Sequence, residues 1–148
     1  MVKRTHMASA ASDRESAPEI TLTQVTAGRD EPLRSWNIGW RVRNVGRYAI
    51  RILSVHLPHS QFKSEERLFE PAMDLNAGDE DHVWTSVRCE EPPGLVTENA
   101  FVIFYVSWLD DPWRIFVRLR VVVNSDGKPE TGTELITTQK VGFSGVAS

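Results

Sequence analysis

Hydrophobic and polar residues alternate with period two over much of the chain, most regularly between Phe101 and Val123. Val102, Phe104, Val106 and Trp108 share one parity, and Phe101, Ile103, Tyr105 and Ser107 share the other. Beyond Asp110-Asp111-Pro112, Ile115, Val117, Leu119, Val121 and Val123 alternate with Arg114, Phe116, Arg118 and Arg120. Such alternation predicts a long β-hairpin with one dry face and one arginine-bearing face. Proline gives no N–H to a ladder, so Pro112 favours a four-residue loop with Leu109 opposite Arg114. That register sets Tyr105 beside Arg118, Ile103 beside Arg120 and Ser107 beside Phe116. A two-residue loop would change these partners and leave both faces as they are.

The same pattern, more weakly, marks further strands. Glu19–Ala27 alternates Ile20, Leu22 and Gln24 with Thr21, Thr23 and Val25, and its β-branched content suits a strand. Gly28–Pro32 reads as a turn. Trp36–Asn44 directs Trp36, Ile38, Trp40 and Val42 to one face, and Asn44-Val45-Gly46 forms the next turn. Tyr48–Leu57 changes phase: Ile50 and Ile52 share one parity, Leu53, Val55 and Leu57 the other, which predicts a bulge near Ile52–Leu53. Pro58–Gly78 is the least regular stretch, read as one helical turn at Ser64–Arg67 and a short edge strand at Arg67–Phe69. Leu75–Asp79 is a turn into His82–Cys89, where Val83, Thr85 and Val87 oppose His82, Trp84, Ser86 and Arg88. Pro92-Pro93 ends that strand. Asn124–Gly127 turns the chain, and Thr133–Thr138 is one more short strand. About seven strands with almost no helix predict an all-β fold, an antiparallel immunoglobulin-like β-sandwich. A small closed barrel is the alternative. The domain is expected at 19–138, between a disordered tail at 1–18 and a flexible tail at 139–148.

Composition narrows the functional classes without naming one. The 148 residues carry a formal net charge of −3, and 13 of the 17 basic residues are arginine. Arginine suits planar recognition, yet its acidic neighbours (Asp79-Glu80-Asp81, Glu90-Glu91, Asp110-Asp111) leave no contiguous basic patch for nucleic acid. A single cysteine, Cys89, allows no disulfide within the chain and reads as a small residue ending a strand. No run is long and apolar enough for a membrane-spanning helix, and the basic start at Met1–Met7 lacks the apolar segment of a signal peptide. The default expectation is a cytoplasmic protein without membrane insertion.

Trp40-Arg41-Val42-Arg43-Asn44-Val45-Gly46, then Ile50-Arg51-Ile52 and Leu75-Asn76-Ala77-Gly78, resemble CARDB-like and fibronectin type III-like bacterial sandwich modules over roughly residues 36–88. In those modules a strand ending in Asn-x-Gly precedes an aliphatic strand and then a Leu-x-x-Gly turn. The resemblance implies an immunoglobulin-like fold and a binding or spacer role, with no catalytic residues to transfer. Two departures are the absence of an export signal and of the acidic, Asn-rich ending after Val123.

The candidate binding surface is the outer face of the hairpin, Tyr105, Arg114, Phe116, Arg118 and Arg120, extended by Trp84 if that side chain is exposed. Arginine and aromatic residues are enriched in interface hot spots, while neighbouring acids offer the arginines an internal use. The remaining tryptophans, Trp36, Trp40, Trp108 and Trp113, read as core or loop-base packing. His56, His59, His82 and Cys89 match no zinc spacing, and Asp110-Asp111 reads as a solvated turn. The leading expectation is a non-enzymatic interaction module, without cofactor or metal, that binds a protein partner or a second copy of itself. The alternative is a carbohydrate- or small-anion-binding domain using Trp84, Trp113 and Arg114. A loop-built enzyme site around His56, His59 and Glu65 ranks last, since no mechanistically spaced pair supports it.

Overall fold

A computed structural model describes residues 16–142. The two terminal segments predicted as tails fall largely outside these residues. Eight strands follow in order: β1 (Ile20–Asp30), β2 (Ser35–Asn44), β3 (Ile50–His59), β4 (Phe62–Leu75), β5 (Glu80–Val87), β6 (Val96–Trp108), β7 (Asp111–Val123) and β8 (Pro129–Lys140). They form two antiparallel sheets, ordered β1-β2-β5 and β4-β3-β6-β7-β8. The first, second and fifth strands share one sheet, and the third, sixth and seventh share the other, which is the division of an immunoglobulin-like sandwich. Unrelated proteins share this plan, so it names no function.

The inward parity residues make one core. Ile38, Trp40 and Val42 from one sheet meet Ile50, Val55, Leu57, Phe104, Val106, Ile115, Val117 and Leu119 from the other, all essentially inaccessible to solvent. Trp40 stands edge-on to Phe62 at 6.4 Å, and its indole N–H donates to Thr85 Oγ1 at 2.9 Å. The anticipated bulge occurs between Ile52 and Ser54. It takes up Leu53 and returns Val55 and Leu57 to the inward face.

The chain departs from the sequence reading in several places. β1 runs through Asp30, so Gly28, Arg29 and Asp30 pair with β2 where a turn was expected. The hairpin loop has two residues, Leu109 and Asp110, both with positive φ (50° and 66°), the geometry of a tight turn matched to strand twist. Tyr105 therefore faces Arg114, Ile103 faces Phe116 and Phe101 faces Arg118. Pro112 is tolerated because its carbonyl accepts from Val141 N–H at 2.8 Å. Its backbone edge thus points away from β6, and no β6 bond is lost. A further departure is β4. Residues 62–75 form one interrupted strand, with neither a helical turn at Ser64–Arg67 nor a break after Phe69. β8 is also longer than predicted and runs through Gln139 and Lys140, two residues past the expected domain boundary.

Both seams between the sheets are stitched. At one, Lys63 and Arg88 exchange backbone hydrogen bonds of 3.0 and 2.7 Å, and Arg67 donates to the Trp84 carbonyl. At the other, the Gln24 amide takes the place of a ladder, donating to Pro129 O and accepting from Thr131 N–H, each at 3.0 Å. Two separate sheets, joined by a single backbone bridge at one seam and by the Gln24 side chain at the other, make this a sandwich rather than a continuous barrel.

Candidate functional site

The bulge in β3 does more than restore the core: it turns Ser54 and His56 outward, opposite Tyr105 and Ile103 of β6. β4 has its own irregularity between Val55 and Leu57 in the pairing with β3, which lifts Glu65 and Glu66 out of the ladder. A groove of about 570 Å³ results on the outer face of the five-stranded sheet. Tyr105, Ile103 and Arg114 form one wall, and Lys63, Glu65 and Glu66 the other, with His56 between them. At its floor, the buried Ser54 hydroxyl donates to Glu66 Oε2 at 2.8 Å.

The three hairpin arginines have different surroundings. Arg120 donates from Nε to Glu98 at 3.0 Å; a register shift between Thr97 and Ala100 turns Glu98 toward it. Arg118 lies 4.0 Å from Glu134, and its buried Nε has no hydrogen-bond acceptor among the described residues. Arg114 is exposed, and no carboxylate among the described residues pairs with it. Its guanidinium instead lies over the Tyr105 ring, 5.8 Å from the centroid, an arrangement that leaves the fork of donors available. Phe116 sits half-buried between Arg114 and Arg118 on this face, opposite Ile103.

Tyr105, Arg114, Phe116, Arg118 and Arg120 thus share one surface, and Trp84 does not. Trp84 is exposed as anticipated, but it lies on β5, in the other sheet. Trp113 is half-buried and meets Trp108 edge-to-face at 5.7 Å. The combination of Trp84, Trp113 and Arg114 as one ligand site is therefore not assembled. The histidines are dispersed as well: His56 lines the groove, His59 caps the β3–β4 turn by accepting from Gln61 N–H at 3.0 Å, and His82 is on β5. Among the described residues no three His, Cys, Asp or Glu side chains converge as metal ligands, and no helix is long and apolar enough to cross a membrane.

No family model matches the chain, and no curated protein sequence is significantly similar to it. Cys89 is buried and its thiol is pushed up from its ordinary value by desolvation, the reverse of what activates a nucleophile. Asp74 is held below the usual carboxylate range by its hydrogen bond from Arg51, an exposed pair on the same outer face.

Sequence reasoning missed Ser54, Lys63 and Glu66 as groove residues. The phase change in β3 was the available signal, but only pairing with β4 reveals which side chains gather above it.

Proposed function

We propose that this chain is a non-enzymatic interaction module whose outer hairpin face docks an acidic segment of a protein partner. Arg114 carries this reading. Unlike Arg118 and Arg120, it is matched with no carboxylate among the described residues, and it projects beside a groove with half-buried Ile103, Tyr105 and Phe116 at hand. A carboxylate on Arg114 and an apolar side chain against Phe116 would use both chemistries at once, in the aromatic-plus-arginine combination common to interface hot spots. The likeness of residues 36–88 to CARDB-like and fibronectin type III-like modules implies a role of the same kind.

The test is selection of binders from a random peptide display library, followed by NMR mapping on the full chain. Acidic binders that shift Tyr105, Arg114 and Phe116 and lose at least tenfold in affinity against Arg114→Glu support the proposal. Binders that ignore Arg114→Glu, or that map elsewhere, overturn it. Concentration-dependent association abolished by Arg114→Glu in sedimentation experiments would identify the acidic partner as a second copy of the chain.

A further inference from the structure

We infer that the opposite surface, the outer face of the three-stranded sheet, binds carbohydrate, with the Trp84 ring as a platform for a pyranose. The inference is independent of the hairpin face. It begins with a cross-strand pair: Trp84 of β5 stands opposite Gly39 of β2, which stands opposite Thr26 of β1. A Cβ on Gly39 would come within 2.9 Å of the Trp84 six-membered ring and 2.6 Å of Thr26 Oγ1. The ring therefore occupies the space that any other residue at 39 would fill. It covers Gly39, which is buried, while the Trp84 residue itself remains 47% exposed. A half-exposed indole seated against a glycine offers apolar ring surface to a ligand.

The register places polar groups around that ring. Asn37 pairs with Ser86 on one side of Gly39–Trp84, and Arg41 pairs with His82 on the other. All four share the ring's face, because side chains two positions apart point the same way. The Asn37 and Arg41 side chains have no hydrogen-bond or ion-pair partner among the described residues, so their donors are uncommitted. A sugar with equatorial hydroxyls is complementary to this arrangement: axial C–H groups on its flat face, hydroxyls around its rim. The acidic residues Asp79, Glu80 and Asp81 at the start of β5 disfavour a polyanion here, a cost that a neutral ligand does not meet. β-Linked glucose or xylose oligomers have the required all-equatorial pattern.

The experiment is titration of the full, isotope-labelled chain with soluble hexasaccharides of β-1,4-glucose, β-1,3-glucose, β-1,4-xylose and α-1,4-glucose. A β-linked member is expected to shift the Trp84 indole N–H and the amides of Asn37, Arg41 and Ser86, leaving Tyr105 and Phe116 unmoved. Trp84→Ala should weaken binding at least tenfold, and Arg41→Ala or Asn37→Ala several-fold, whereas Arg114→Glu should leave it unchanged. Absence of any shift on this face with all four sugars overturns the inference. So does affinity that survives Trp84→Ala. If Trp84→Ala fails to fold, unchanged affinity in both Asn37→Ala and Arg41→Ala overturns it equally. Failure here leaves the Arg114 proposal standing, and the reverse also holds.

Discussion

The five tryptophans show how position in the fold, rather than residue type, sets what a side chain does. Trp40 is 1% exposed and bonded to Thr85, whereas Trp84 is 47% exposed and lies over a glycine. Trp40→Ala should cost about 3–5 kcal/mol, because it opens a cavity and strands the Thr85 hydroxyl. Trp84→Ala removes a half-buried ring and should cost on the order of 1 kcal/mol. Urea unfolding of both variants checks this, and equal destabilisation would refute the assignment of faces. Strand parity sufficed to separate these two residues in the sequence. It could not show that Trp84 rests on Gly39, because that contact depends on how β2 and β5 are paired.

At the scale of elements, the β6–β7 hairpin illustrates what alternation can and cannot specify. Its faces were legible, because a side chain's parity is local and survives any even change of loop length. Its partners were not, because Pro112 argued against pairing while the pleat turned its nitrogen away from β6. The tight turn places Leu109, a non-glycine residue, in the left-handed region at φ 50°, where a branched side chain is strained. Replacing Leu109-Asp110 with Asn-Gly should therefore stabilise the protein by about 1 kcal/mol. Thermal or urea melts would show this as a raised midpoint, and a lowered one would contradict the turn geometry. β4 was illegible for a different reason. Its residues are mostly exposed and interrupted by shifts in register, so hydrophobic periodicity carries little information there.

Across the whole molecule, Asn44 ties the two sheets together. It is fully buried at the end of β2, and its amide donates to the carbonyls of Tyr48 and Leu75 while its oxygen accepts from Gly46 N–H, each at 2.9 Å. The Asn-x-Gly motif that suggested a family thus has a physical use, joining the β2–β3 turn to the end of β4. Asn44→Ala leaves three backbone groups unmatched and should cost about 2–4 kcal/mol in equilibrium unfolding; a loss below that of a surface substitution would count against this role. The sequence alone determined the fold class, the inward residues of most strands and the membership of the arginine face, since each follows from period-two alternation within a strand. Tertiary structure decided which strands are neighbours, and with that the groove beside Arg114, the separation of Trp84 from it and the Gly39 seat beneath the Trp84 ring. Those features depend on contacts between residues far apart in the chain, fixed by how the sheets pack and by bulges that local pattern only hints at.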